Sequence, residues 1–291
     1  MSFITRFAPS PTGPLHLGHA YSALLAHDMA IAQHGIFLLR IEDIDQGRSR
    51  PEWEAQIKDD LAWLGLAWPG PVMRQSERGA RYDGALRTLW ERGLIYPCAC
   101  TRRDIAAAAS APQEGAPLGP DGVIYPGTCR PSHRNREPGP RPHETALRLD
   151  MGAALDSIAA HSGGAPLAFT ETGGSTIRFV PVAAETAQEG IGDIVLARRD
   201  MGTSYHLSAV LDDADQRVTH VVRGADLFAA TAIHVILQRL LDLPTPVYHH
   251  HRLIRDADGK RLAKRDDARA IARYRNDGVS AAQIREMVGL P

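Results

Sequence analysis

The sequence predicts an α/β fold: a Rossmann-like, doubly wound parallel sheet, interrupted by an α/β insertion and followed by a short helical C-terminus. Three observations lead there. The opening stretch reads strand, helix, strand in about 40 residues, a βαβ unit expected to be right-handed. Strand-like and helical segments return at 177–183, 193–198, 217–223, 227–242 and 247–254. Between these two blocks, residues 102–145 are rich in Ala, Pro and Gly with weak periodicity, as in an insertion with long loops.

Residues 3–8 (FITRFA) form the first predicted strand, and PSPTGP the turn after it. A helix then runs from Leu17 to His34, with Leu17, Tyr21, Leu24, Leu25 and Met29 at helical spacing and Gly35 placed to end it. FLLRIED at 37–43 is a near-continuous apolar run, typical of a strand buried in a parallel sheet. Ser49-Arg50-Pro51-Glu52 has a capping-box pattern with an early proline, and opens a helix with Trp53, Ile57, Leu61 and Leu64 on its apolar face. Another helix spans 77–92 and ends at Gly93. A strong helix covers 227–242, and VYHHHRLI at 247–254 is a strand leading into a basic loop. The resulting division is a first half of the sheet domain at 1–97, an insertion at 98–192, the second half at 193–255, and a loop with a helical tail at 256–291.

A chain of 291 residues accommodates a sizeable core, as one domain with an insertion or as two domains. Thirty-three Lys+Arg against 34 Asp+Glu leave it near neutral, so net charge does not argue for a nucleic-acid partner. Local charge differs: residues 252–275 hold nine Lys/Arg against four Asp. No segment approaches the ~18 consecutive apolar residues of a membrane span, and the N-terminus lacks a basic region followed by an apolar run. A cytoplasmic protein with no membrane partner is expected. Three cysteines, an odd number without an export signal, argue against a disulfide framework.

Chemistry concentrates at two distant segments. In Pro11-Thr12-Gly13-Pro14-Leu15-His16-Leu17-Gly18-His19 the chain leaves a strand and enters a helix, so free N–H groups and the positive end of the helix dipole suit phosphate. Gly18 allows close approach of a nucleotide, and His16 and His19, three apart, share a face and can donate to phosphate oxygens. In the second segment, Gly259 permits a turn that gathers Lys260, Arg261, Lys264 and Arg265. The run His249-His250-His251 invites a metal reading, but adjacent strand residues alternate faces, so packing is favoured.

HLGH resembles the "HIGH" signature of class I aminoacyl-tRNA synthetases, and RFAPSPTGPLH with LLRIEDID resembles their glutamyl/glutaminyl branch. KRLAKR resembles the second signature, KMSKS, with Ala263 where the family often has Ser. This resemblance implies ATP, with Mg2+, bound at Pro11, Gly13, His16, Gly18, His19, Lys260 and Lys264, with His16, His19 and Lys264 catalytic. The substrate carboxylate would attack the α-phosphate and expel pyrophosphate, so positioning and charge stabilisation carry the catalysis. It further implies glutamate contacts at Arg6, Phe7, Ala8, Pro9, Ser10, Glu42, Tyr205 and Arg223. Arg6 and Arg223 are suited to grip a carboxylate through two hydrogen bonds, and Glu42 to take the ammonium.

Cys98, Cys100 and Cys129 have spacing suited to a structural metal. They resemble the zinc knuckle of the glutamyl branch, in which a tyrosine, here Tyr125, is the fourth ligand; His133 and water are rivals. The insertion is therefore expected to contain zinc. Only 26 residues follow Arg265, fewer than the roughly 50 of a small domain, so no usual anticodon-reading domain is expected. The chain resembles the stand-alone catalytic branch of the family. That likeness implies a monomer that activates L-glutamate without tRNA and attaches it to queuosine, holding the tRNA(Asp) anticodon stem-loop. The alternatives are a truncated enzyme charging a tRNA 3′ end, an inactive paralogue that binds nucleic acid or protein, and a small-molecule nucleotidylyltransferase.

Overall fold

Strand β1 (Ile4–Phe7), helix α1 (Leu17–Ala32) and strand β2 (Ile36–Ile41) form the predicted βαβ unit, with β1 and β2 parallel and Arg6 opposite Leu38. The structure is a computed structural model and describes residues 2–109, 117–130, 139–254 and 269–291. Helix α1 stops two residues short of His34, and His34 rather than Gly35 takes the left-handed conformation, with φ +50°. Gly35 serves a different purpose: a Cβ there would lie 2.1 Å from the Phe3 carbonyl oxygen, so only glycine lets β2 start against β1.

Helix α2 (Pro51–Trp63) has Pro51 at its first turn, as expected, but the capping box does not form. Arg50 is the N-cap residue without a side-chain cap bond, because the Ser49 N–H is drawn into the preceding turn by the Asp45 carbonyl. Ile57, Leu61 and Leu64 are buried as predicted. Strand β3 (Met73–Arg74), a 3-10 turn (Gln75–Arg78) and helix α3 (Gly79–Glu91) follow, and Gly93 closes α3 with φ +68°.

The next elements are β4 (Ile95–Cys98), α4 (Arg102–Ala109), the hairpin β5 (Leu118–Gly119) and β6 (Gly122–Val123), β7 (Ala146–Leu149), α5 (Met151–His161), β8 (Ala168–Glu171) and β9 (Arg178–Pro181). Pairings cross the limits expected for the insertion. β7 pairs with both β4 and β10 (Val195–Ala197), and β8 pairs in parallel with β12 (Val247–His251) through Glu171 opposite Tyr248. Leu147 and Leu149 of β7 share one core with Leu86 and Leu89 of α3.

Helix α6 (Ala184–Gly190) precedes β10, and α7 (Tyr205–Asp215), β11 (His220–Gly224), α8 (Thr231–Leu240), β12, α9 (Ile271–Asn276) and α10 (Ala281–Val288) complete the described chain. Helix α8 is shorter than predicted, because residues 225–227 form a separate 3-10 turn, 228–230 a further turn before it, and 241–242 a turn after it. β11 and β12 are parallel, and β11 lies beside β1, tied there by the Thr219 N–H to the Ile4 carbonyl at 3.0 Å. The spatial order is β3-β2-β1 and then β11-β12-β8-β9. Strand order therefore reverses direction between β1 and β11, the switch point where doubly wound sheets hold ligands. Among the described residues no helix is long and apolar enough to cross a membrane.

Candidate active site

A cleft of about 380 Å³ opens at this switch point. β1 and the turn after it contribute Arg6, Phe7, Ala8, His16, Gly18 and His19; the end of β2 contributes Glu42; α7 contributes Tyr205; β11 contributes Arg223; and β12 and its continuation contribute His251, Leu253 and Ile254. His16 is the N-cap of α1. Its Nδ1 accepts the Gly18 N–H at 3.1 Å, while His19 Nδ1 accepts the His16 N–H at 3.2 Å. The two rings lie 3.8 Å apart. With both Nδ1 atoms accepting, a neutral ring carries its proton on Nε2 and is a donor there, as phosphate recognition requires.

Lys260, Lys264 and their neighbours Arg261, Ala263 and Arg265 lie outside the described residues. The residues flanking that segment do meet the cleft. Leu253 and Ile254 line it, Ala270 bridges to His16, and the Ile271 N–H donates to the Leu15 carbonyl at 2.8 Å.

The arginines expected to grip a carboxylate are already engaged. Arg6 donates through Nε and Nη2 to Asp213 of α7, at 2.9 and 3.4 Å, and through Nη1 to the Val222 carbonyl. Arg223 donates from Nε to His250 at 3.2 Å, from Nη1 to His234 at 3.3 Å, and from Nη2 to Thr231 Oγ1 and the Leu227 carbonyl. A guanidinium has five N–H groups. Among the described residues one Arg223 donor, on Nη1, remains for a ligand. Arg223 thus has one donor to offer a ligand, where the sequence suggested a two-bond fork.

Glu42 is buried beside Arg40, which donates to it at 3.0 Å and to Asp213 at 2.7 Å. Burial pushes the Glu42 carboxyl above its usual range, against the pull of Arg40 and Arg6. A further cation would lower that cost, which suits Glu42 to an ammonium. Tyr205 occupies the first turn of α7, whose Ser204 cap accepts the Leu207 N–H. Burial raises its phenol, so the hydroxyl stays neutral.

A second cleft of about 640 Å³ adjoins the first and shares Glu42 and Tyr205 with it. Ser10, Thr12, Asp121, Arg102, Arg198 and Arg199 lie along it. Ser10 therefore faces this cleft instead of the first. Pro9, Pro11 and Gly13 line neither; the Pro9 carbonyl accepts the Glu42 N–H and the Pro11 carbonyl accepts the Arg50 N–H.

Cys98, Cys100 and Cys129 bring their sulfurs within 4.8 Å of one another. The Tyr125 hydroxyl lies 3.4 Å from both Cys98 and Cys100 sulfurs. Tetrahedral zinc with bonds of ~2.3 Å to sulfur needs sulfurs roughly 3.8 Å apart, so this donor set fits. Burial pushes the Cys129 thiol up, but hydrogen bonds from Tyr125 and the Ala99 backbone outweigh it and hold the thiol down at about 7. Tyr125 is raised by burial and by the three thiols, and its ring carries the Arg148 guanidinium at 3.9 Å. His133 lies outside the described residues. The three adjacent histidines do diverge: His249 meets Thr172, His250 meets Glu171 and Arg223, and His251 meets the Arg252 carbonyl and the edge of Tyr21.

Sequence reasoning missed the groups that hold these side chains in place. The pair Asp212-Asp213 on α7 gathers Arg6, Arg40, Gln75, Arg78 and Tyr82 from four other elements. One signal was available: Arg40 interrupts the apolar run of β2, and a buried arginine demands carboxylates.

The family model for the catalytic domain of class I tRNA synthetases (E and Q) matches residues 2–121 and 178–290. A Rhodobacter capsulatus protein named glutamyl-Q tRNA(Asp) synthetase is 63% identical over 287 residues, 99% of this chain and 100% of its own length. A Geobacter sulfurreducens protein of the same name is 40% identical over 94% of this chain and 79% of its own length. Among solved structures, a glutamate tRNA ligase from Elizabethkingia meningosepticum, in complex with its amino acid, matches with a TM-score of 0.66 and 26% identity over 91% of this chain. This chain spans about half (52%) of that ligase.

Proposed function

Because this chain belongs to the class I tRNA synthetases of the E and Q type, we propose that it activates L-glutamate with ATP, without tRNA, and transfers the glutamyl group to queuosine in the anticodon loop of tRNA(Asp). The observation that carries this reading is the union, in one switch-point cleft, of the His16/His19 turn with Arg6, Glu42 and Arg223. ATP, accompanied by Mg2+, lies against the start of α1, where His16 and His19 donate to its phosphates. Glutamate lies deeper, with its ammonium on Glu42 and its carboxylates toward Arg6 and Arg223; Phe7, Ala8 and Tyr205 shape that pocket. Its α-carboxylate attacks the α-phosphate and pyrophosphate leaves, with Lys260 and Lys264 meeting the charge that develops there.

The acceptor base enters from the second cleft, which shares Glu42 and Tyr205 with the glutamate pocket. Arg102 and Arg199, both exposed on that cleft, suit the flanking phosphates of an anticodon stem-loop. Cys98, Cys100, Tyr125 and Cys129 hold a structural zinc that would organise the adjoining segment. The protein works as a cytoplasmic monomer.

Product mapping with labelled glutamate tests the reading. Label that survives removal of the tRNA 3′ terminus and follows the anticodon fragment is expected. Label lost with the 3′ end identifies a truncated charging enzyme instead. Absence of glutamate-dependent pyrophosphate exchange rejects the activation step itself.

A further inference from the structure

Arg223 is held by two neutral imidazoles, each backed by a carboxylate. Arginine donates in every bond it makes, so His250 Nε2 and His234 Nδ1 must both be acceptors. The opposite nitrogen of each ring then carries the proton. His250 Nδ1 gives its proton to Glu171 Oε2. His234 Nε2 gives its proton to His206 Nδ1 at 3.1 Å, and His206 Nε2 gives its own to Asp121 at 3.2 Å. Glu171, His250, His234 and His206 are all buried.

The Glu171 end is built tightly. Its Oε1 accepts two backbone N–H groups, from Gly173 at 2.6 Å and His250 at 3.1 Å, which leaves Oε2 to the imidazole. A Cβ on Gly173 would lie 2.0 Å from the His250 carbonyl oxygen and 2.7 Å from Glu171 Oε1. Glycine is required for the chain to cross there and complete the carboxylate's shell. The only tautomer this arrangement allows His250 is the one that presents a bare Nε2 to Arg223.

We propose that Glu171 and His250 are positioning residues that hold the Arg223 guanidinium so that its remaining Nη1 donor faces the substrate carboxylate. The proposal rests on the reading that Arg223 binds glutamate. It adds that substrate affinity is set from β8, a strand outside the cleft.

The test uses steady-state ATP–pyrophosphate exchange. In Glu171→Gln the amide oxygen must stay with the two backbone donors, which turns the NH2 toward His250 Nδ1. The ring is then forced to carry its proton on Nε2, which removes the acceptor for Arg223 Nε and turns that proton toward Thr231 Oγ1, 3.1 Å away and itself a partner of Arg223. The KM for glutamate is expected to rise about tenfold or more, the equivalent of one hydrogen bond to a charged group, while the KM for ATP stays put. His250→Gln, whose carbonyl can reach the place of Nε2, is expected to keep most of the affinity, and His250→Leu to lose it. A glutamate KM unchanged in Glu171→Gln, or a parallel rise in both KM values, overturns the proposal.

Should Glu171→Gln fail to fold, nitrogen NMR of the wild-type protein decides. His250, assigned by its loss in His250→Gln, must show a protonated Nδ1 and a bare Nε2, and the opposite tautomer overturns the proposal. Wild type without glutamate-dependent exchange would sink the glutamate reading instead, and leaves the tautomer measurement standing.

Discussion

Asp60 sits in α2 with 1% of its surface exposed, and neither carboxylate oxygen has a hydrogen-bond partner among the described residues. Burial, with a smaller push from Asp59 and against the pull of Arg275, raises its carboxyl from 3.8 to about 6. Between those values the native chain keeps a proton that the unfolded chain has released. Stability is therefore undiminished below about 3.8 and falls as pH rises toward 6. A rise of about two units costs about 3 kcal/mol once both states are ionised. Asp60→Asn removes the charge while keeping the shape and the unmet hydrogen bonding of the protonated acid. The substitution is expected to stabilise the protein by about 3 kcal/mol at pH 8 and by about half of that at pH 5, from the same linkage. At roughly 2–4 °C per kcal/mol, the pH 8 gain is a rise of ~6–12 °C in Tm. Urea unfolding of both proteins at the two pH values measures it. A variant no more stable than wild type at pH 8, or a gain independent of pH, would refute the reasoning.

Asp213→Asn should act in the opposite direction, because it leaves Arg6 and Arg40 buried against a neutral partner. A loss of about 3–5 kcal/mol is expected in urea unfolding, and a loss under ~1 kcal/mol, typical of an exposed pair, would contradict the buried network. His250 is lowered from 6.5 to about 4, mainly by burial, so the unfolded chain takes up a proton first as pH falls. Stability from this group is full above 6.5 and drains toward 4, and His250→Gln should flatten that acid limb by up to about 3 kcal/mol; parallel pH curves for the two proteins would count against it. Zinc is expected to copurify with the wild type and to be lost in Cys129→Ser, by elemental analysis; full retention would remove Cys129 from the ligand set.

Much of the architecture was legible because its local signals agree with its tertiary setting. The first βαβ unit was read within two residues, since the apolar run of β2 and the helical spacing of α1 match what the sheet buries. Residues 146–171 went unread for the opposite reason. β7 is four residues long and α5 is Ala-rich, so neither carries enough periodicity, and β7 is stabilised by pairing with β4 and β10 from distant parts of the chain. Gly35 shows a subtler failure. Its position after a helix suggested a cap, whereas the constraint is a carbonyl oxygen from another strand, which no local pattern can encode.

The site divides along the same line. His16, His19 and Glu42 could be found because they stand inside ordered motifs, and Arg223 because the family resemblance implies it; the fold brings all four to one cleft. What each can offer could not be read from the motif. Counting donors on a sequence credits Arg223 with a fork; in the fold, four of its five N–H groups are taken by His250, His234, Thr231 and Leu227. The three adjacent histidines raised a question of metal binding, and strand alternation predicts the divergence of their side chains that the fold shows. Alternation could not show that the middle one would be paired with a carboxylate 79 residues away and turned into an acceptor. Charge and residue type are properties of the sequence, but the number of bonds left for a ligand depends on every neighbour the fold supplies. A motif therefore locates a binding residue more reliably than it describes how that residue binds.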